Sequence, residues 1–531
     1  MLACSFFFLL GCAFIPHLGI QNDEALFASG LYDPLGLAYD RQVFGYKIPV
    51  MVMTYLGALK AWIYAGIFRV WEPGAASVRT PMLLAGALTV WLFFLFLRRT
   101  ASTRAALIGC FLLAADTSFL LTATFDWGPV ALQHLLLVSA VLLLAVFASG
   151  RRWEALAGAC FLLGLGAWDK ALFVWLIAGL GAALAVVYPR DILRLFTPGR
   201  AAAAVLAFTL GALPLLLYNL NPGHRMETFR SNATWSADDL PGKARLLRSS
   251  LEGSALLGWL VAEDHEAPAP REAGSALERA SAWLSAAAGK PRRNLFGYAF
   301  ALSLGLALWL WLSRRWKGEG RLVAAALVFL AAAWLQMALT RNAGGALHHT
   351  ILLWPAPHLV MAVALAAASR QVRGGAAAAA ALTAVLAASG VLVTNQYFTQ
   401  MIRNGGGLNW SEAVYPLASF VKQLPARQIY VTDWGMLDTL RLLGRGSLPL
   451  NVGSDPVSRP VLDEAGLRVV HSWVSDPANV FVGHTEGNEF FAGSRKNLLL
   501  AAEGFGLRME MLRVVEDRHG RRIFEVFRFV R

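Results

Sequence analysis

Charge is what this 531-residue chain has least of. Only 15% of its residues are Asp, Glu, Lys or Arg, against about 25% in an ordinary soluble domain. Hydrophobic residues make up 57% and the mean hydropathy is +0.51. That shortage of charge, with repeated long apolar runs, excludes a string of soluble domains and indicates a polytopic α-helical membrane protein. Cysteine is scarce as well. Cys4, Cys12, Cys110 and Cys160 all lie inside apolar segments and none has CxxC spacing, so neither a disulfide framework nor a cysteine zinc site is expected. No Lys or Arg precedes the first apolar segment and no small-residue cleavage site follows it, so it reads as a retained anchor rather than a signal peptide. The charges that are present sum to +13. The arginines gather in short loops between apolar runs, a pattern of cytoplasmic retention and not of nucleic-acid binding.

A helix needs about 20 apolar residues to cross the hydrocarbon core. Such runs occur at Leu2–Ile20, Thr80–Leu97, Ala105–Thr124, Pro129–Phe147, Trp153–Trp168, Leu172–Val187, Ala201–Leu220, Leu295–Leu312, Leu322–Leu339, Ile351–Ala368 and Ala376–Val393, about eleven spans by length. Every second connection is basic, from Arg98-Arg99 and Arg104 to Arg370 and Arg373. These loops are therefore assigned to the cytoplasm and the N-terminus with them. Residues 21–78 and 221–294 become outer loops. Ile48–Phe68 is apolar enough to span, but a span there would invert every later loop, so it is read as juxtamembrane helices in the outer interface. Leu251–Val261 is read as a further interfacial helix. From about residue 396 the composition turns more polar. Gln428–Thr432, Leu467–Val470 and Val480–Val482 read as strands, Leu437–Leu443 as helix, and Leu512–Glu516 and Ile523–Arg528 flank a hairpin turn at Asp517-Arg518-His519-Gly520. The expected architecture is a transmembrane domain over 1–395 and an extracytoplasmic soluble α/β domain over 396–531.

The polar residues on the outer side are the candidates for chemistry. Asp23 and Glu24 stand directly after the first apolar run; a carboxylate at the water interface beside an apolar wall is a candidate general base, and helix capping is the plainer reading. Lys47 precedes Ile48-Pro49 and can hold a lipid phosphate as a point charge; Lys60 is a second, more structural lysine. Asp126 opens the fourth run beside Trp127, and Trp168-Asp169-Lys170 forms the next outer turn. Aspartates on two consecutive outer turns, each beside Trp, point to a shared polar cavity. Arg341, His348 and His349 occupy a later outer turn and suit phosphate contact or sugar hydrogen bonding better than metal, because adjacent histidines chelate poorly.

These motifs, taken in order, resemble a known family. The acidic pair after the first span, the Lys-x-Pro at Lys47, Arg79-Thr80-Pro81 opening the second span, the Asp126 turn and Gly166-Ala167-Trp168-Asp169-Lys170 resemble the polyprenol-phosphate-sugar-dependent glycosyltransferases of the GT-C fold. Among them are the bacterial protein O-mannosyltransferases and the lipid A aminoarabinose transferases. The resemblance is clear to about Phe196 and looser beyond. It implies transfer of a sugar from a polyprenyl phosphate to an unidentified glycan, lipid or protein acceptor at the outer face of a bacterial inner membrane. It places the family's acidic residue at Asp23, its phosphate-contacting lysine at Lys47, its span-opening acid at Asp126 and a further lysine at Lys170. The chain departs from the pattern in having Lys-Ile-Pro for Lys-Pro-Pro, Asp169 for the usual Thr, and no Trp-Trp-Asp signature. No cofactor is implied and a divalent metal is left open. The competing class is a lipid or solute transporter; the absence of an inverted repeat and the rarity of mid-membrane charges, Asp116 excepted, count against it.

Overall fold

The computed structural model describes residues 1–32, 36–232, 234–341 and 343–531. Residues 33–35 of the first outer loop, Ala233 of the second and Asn342 beside Arg341 lie outside the described residues. The eleven apolar runs are mostly helical, the first only over Leu2–Phe14 and the third broken between Ala114 and Thr117, as hydrocarbon requires of a backbone that finds no water to bond. Among the described residues, Ala75–Thr100, Val130–Gly150, Gly320–Leu339, Leu347–Ala368 and Gly375–Asn404 are long and apolar enough to cross a membrane as single helices. Three bent pairs bring the number to as many as 8. Leu2–Phe14 and Phe296–Leu312 are apolar but shorter, and Trp153–Asp169 has 17 residues.

The bends have local causes. Thr103–Ala114 and Thr117–Thr124 meet at 60° where the Asp116 carboxylate caps the second helix by accepting from Phe119 N at 2.8 Å. Pro189 and Pro214 sit at the start of the second helix in the other two pairs, where a missing N–H costs nothing. Trp153–Asp169 packs backbone to backbone on Pro198–Gly211. A Cβ on Gly164 would stand 2.3 Å from Phe208 O, and one on Gly211 would stand 2.2 Å from Phe161 O. This close approach through small residues fixes the helix whose last residue is Asp169.

The segment 21–78 differs from its sequence reading. Ile48–Phe68 is not wholly helical. It begins inside β2 (Tyr46–Met53), which pairs antiparallel with β1 (Tyr39–Val43) and with β3 (Leu56–Gly57), and only Leu59–Ile67 is helix. The run from Lys47 to Val52 carries β-branched Ile48, Val50 and Val52 and a proline, which favour a strand over a helix, and Pro49 falls before β3 begins to pair at Met51. Leu251–Val261 is also not a helix. Gly253 and Gly258 adopt positive φ, and the backbone is held from outside, Leu256 N by the Tyr397 hydroxyl and Ala262 N by Gly405 O.

The C-terminal domain is α/β as expected. Its sheet runs in the order β5 (Leu450–Val452), β4 (Ile429–Val431), β6 (Val480–His484), β8 (Arg522–Val530), β7 (Arg508–Glu516). Strand β4 is parallel to β5 and β6, and β8 is antiparallel to β6 and β7. Alternate residues feed two cores. Val431, Val482 and Val526 pack on Val414–Val421 and Leu437–Leu443; Phe481, Phe527 and Phe529 pack on Glu464–Val474 and Ser494–Gly504. Leu467–Val470 belongs to the helix Glu464–Val474 and is not a strand, because its apolar residues recur at helical rather than alternate spacing. The last long helix continues to Asn404, so residue 395 lies inside a continuous element.

Candidate active site

The short helix Asn22–Ser29 begins the site. Gln21 caps it, its side chain accepting from Asp23 N at 2.7 Å and Glu24 N at 3.2 Å, and Glu24 Oε2 accepts from Gln21 N, a capping box. The two carboxylates of the acidic pair then diverge. Glu24 is buried and forms a two-point pair with Arg79, Nε to Oε1 at 2.7 Å and Nη2 to Oε2 at 2.9 Å. Arg79 spends its remaining donors on Ile15 O, Leu18 O and Gly19 O. Glu24 thus ties the loop to the long helix Ala75–Thr100. Asp23 forms no ion pair among the described residues. Burial raises its carboxyl from the ordinary 3.8 to about 6, with the Asp438 charge adding to the rise and Asn22 and Lys170 opposing it.

The turns at Asp126 and Asp169 meet the same loop. Lys60, on the helix Leu59–Ile67, is fully buried and donates to Asp126 Oδ2 at 2.9 Å. Asp126 Oδ1 accepts from Ala131 N at 3.2 Å, so this aspartate also starts the helix Val130–Gly150. Strand β3 bridges to Lys170, and Ala171 N donates to Tyr55 O at 2.9 Å. Trp168 Nε1 donates to Val50 O at 2.9 Å, and its ring meets Trp62 at 4.8 Å between centroids. The hairpin therefore lies on the end of Trp153–Asp169 and sets the position of Lys170.

Lys170 is 3% exposed, and its ammonium has no hydrogen bond or ion pair among the described residues. Burial lowers it from 10.5 to about 8 against the opposing charges of Asp169, Asp23 and Asp126. A buried cation without a partner among the described residues is costly. Asp169 is equally buried, and among the described residues its Oδ2 has no partner, nor has either amide atom of the neighbouring Gln133. His348 and His349 lie within reach of the Lys170 charge. Trp127 Nε1 donates to His348 Nδ1 at 3.0 Å, and Gly128 allows the approach, since a Cβ there would lie 2.6 Å from His348 Cβ. His349 is buried, and its Nδ1 has no partner among the described residues. Trp127, Trp259 and Trp410 form an aromatic wall beside His348, with centroids 4.9–5.6 Å apart.

Asp23, Lys60, Asp126, Asp169, Lys170, His348 and His349 thus come together. Lys47 and Arg341 do not join them. Lys47 is exposed on the β1–β2 hairpin opposite Gln42. Arg341 is exposed, with its backbone N bonded to Thr234 O. The residues that sequence reasoning gave no role are Arg79, Tyr55, Gln133 and Asp438. Arg79 carried a signal, a charge inside an apolar helix that must find a partner; the others carried none. Among the described residues, one group has metal-ligand spacing, Glu412, Asp517 and His519. It lies at the foot of the β7–β8 hairpin, where Arg521 already takes Asp517 Oδ2 at 2.6 Å.

Comparison with known proteins shows what the chain is similar to. A family model described as Dolichyl-phosphate-mannose-protein mannosyltransferase matches residues 57–217, the stretch that holds Lys60, Asp126, Asp169 and Lys170. No curated protein matches the sequence. The structure of ArnT from Cupriavidus metallidurans bound to undecaprenyl phosphate is similar with a TM-score of 0.57 at 14% identity, over 99% of this chain and 96% of that one. Its apo state gives 0.58 at 13% identity over the same shares. The oligosaccharyltransferase of Archaeoglobus fulgidus, in complex with Zn and sulfate, gives 0.54 at 13% identity over 94% of this chain and 70% of that one. The fold is that of the GT-C glycosyltransferases, and the resemblance read from the residues holds.

Proposed function

We propose that this chain is a membrane glycosyltransferase that moves a sugar from a polyprenyl-phosphate donor to an acceptor hydroxyl at the outer face of a bacterial inner membrane. The observation that carries the reading is the pairing, in one site, of the half-buried Asp23 carboxylate and the buried Lys170 ammonium, neither with an ion-pair partner among the described residues. The ArnT relative is bound to undecaprenyl phosphate, which supports the same donor class here.

Asp23 takes the proton from the acceptor hydroxyl as general base. The acceptor oxygen forms its bond to the anomeric carbon as the bond to the phosphate oxygen breaks, and the phosphate leaves with the electron pair. Lys170 meets the charge that develops on it, with His348 and His349 beside it. A single displacement inverts the anomeric centre. Lys60 and Asp126 hold the turns in place, and Asp169 and Gln133 offer hydrogen bonds to sugar hydroxyls. Lys47 and Arg341 are left for lipid headgroups at the rim. The N-terminus lies in the cytoplasm, and the C-terminal domain lies outside with the site. No metal is assigned a step; loss of transfer on EDTA treatment would overturn that part.

The test is transfer of radiolabelled sugar from polyprenyl phosphate in proteoliposomes. D23N should lose at least about 100-fold in rate while eluting and unfolding as a folded protein. Wild-type turnover by D23N would refute the assignment, and vectorial movement of donor without transfer would favour a transporter.

A further inference from the structure

The helix that carries Asp23 is held at both of its ends by one side chain of the C-terminal domain. Asp438 opens the helix Leu437–Leu443 and is 8% exposed. Its backbone N donates to Asn22 Oδ1 at 3.0 Å, and Asn22 Nδ2 donates back to its Oδ2 at 3.2 Å. Its Oδ1 accepts from the Ser29 hydroxyl at 2.8 Å and from Arg441 Nη1 at 2.8 Å. Thr439 extends the contact, its hydroxyl donating to Ile20 O at 3.2 Å. Asn22 and Ser29 are the first and last residues of the helix Asn22–Ser29.

An eight-residue helix has little stability of its own. The membrane domain bonds its N-terminal turn through the Glu24–Arg79 pair and buries Ala25, Phe27 and Ala28 against it, but the polar side chains at the two ends, Asn22 and Ser29, bond Asp438. We propose that Asp438 is the positioning residue for the Asp23 carboxylate, so that the C-terminal domain completes the active site rather than hanging beside it. The inference rests on the reading of Asp23 as the base. Three charged or titratable groups face Asp23 from the elements packed around it: Lys170 from the end of Trp153–Asp169, Tyr55 from the turn before β3, and Asp438 from the C-terminal domain. Asp438 alone of these both bonds the residue next to Asp23 and bears a like charge. Removing that charge lowers the Asp23 pKa; removing the bonds lets the carboxylate wander.

The two effects are separated by two variants of the full-length protein in proteoliposomes. N22A breaks the reciprocal bonds and leaves the Asp438 charge; because Asn22 also holds the Asp23 carboxyl down, this variant's acidic limb should not move to lower pH. It should lower kcat roughly 10- to 100-fold with little change in KM for the polyprenyl-phosphate donor. D438N keeps an acceptor for Ser29 and the backbone bond to Asn22, gives up the Asn22 Nδ2 bond, and removes the charge. It should move the acidic limb of the kcat/KM profile to lower pH by roughly half a unit or more. If D438N does not fold, N22A carries the test alone through its split between kcat and KM. Profiles and kcat that superimpose on wild type in both variants, with D23N inactive, overturn the role of Asp438. Activity in D23N instead overturns the base assignment beneath it.

Discussion

At the scale of single residues, the adjacent acids Asp23 and Glu24 divide the work. Asp23 carries a cost. Its unfolded carboxyl titrates near 3.8 and its folded one near 6, so the folded state binds the proton more tightly. Stability contributed by that proton is lost as pH rises from about 4 to 6 and is absent at pH 7. D23N should therefore unfold at a higher temperature than wild type at pH 7–8, by roughly 1–3 kcal/mol, with the difference gone at pH 4. An inactive variant that is more stable marks a functional carboxylate; one that is less stable would show Asp23 to be structural. The reaction's pH profile has the same origin. Transfer should rise as Asp23 ionises near 6 and fall as Lys170 loses its charge near 8, and in K170M the alkaline limb should disappear along with most donor affinity. E24Q is the opposite case. It strips one partner from a fully buried two-point pair, and breaking such a pair costs about 3–5 kcal/mol. Thermal unfolding in detergent should show that loss, while the molecules that remain folded keep far more activity than D23N.

At the scale of elements, the β1–β3 hairpin is what converts scattered motifs into a site, and it is the part of the fold least visible in the sequence. The apolar helices were legible because hydrocarbon enforces one solution for each long run. Leu437–Leu443 and the β7–β8 hairpin were legible from helical spacing and a turn sequence. Ile48–Phe68 had the length of a helix, and its β-branched start was outweighed by its hydropathy. The same strength of local signal separates the site residues. Asp126, Asp169 and Lys170 end or begin apolar runs, where an ionised group stands out. Asp438 and Gln133 stand in ordinary surroundings and gain meaning only from partners hundreds of residues away or from the lack of any. Lys47 lies beside the right motif on the exposed edge of the hairpin, while Lys60, thirteen residues later, is the lysine that reaches the aspartates. Gly57 tests the hairpin's role. A Cβ there would fall 2.0 Å from Trp168 O, a backbone atom that cannot rotate away. G57A should push β3 from Lys170, cost about 1–3 kcal/mol, and raise KM for the donor while leaving the helix content by circular dichroism unchanged.

At the scale of the whole molecule, function requires the C-terminal domain, the first outer loop and the Lys170 turn to share one side of the membrane. The contacts already bind them together: Asn22 to Asp438, Ser29 to Asp438, Tyr55 to Ala171. The basic loops must then face the opposite side, which is the arrangement the positive-inside rule favours. The prediction can be read by labelling. The native cysteines lie in apolar helices, half-buried or buried, and are replaced first. Phe490 of the C-terminal domain and Tyr46 of the hairpin are exposed at 56% and 76%, so F490C and Y46C should both react with a membrane-impermeant maleimide on intact cells. Arg151, exposed between Val130–Gly150 and Trp153–Asp169, should react as R151C only after permeabilisation. Labelling of Y46C and F490C from opposite sides would break the contact between Asn22 and Asp438 on topological grounds, and the transferase reading would fall with it. Labelling of all three from outside would leave that contact intact but remove the membrane boundary on which the assignment of the basic loops depends.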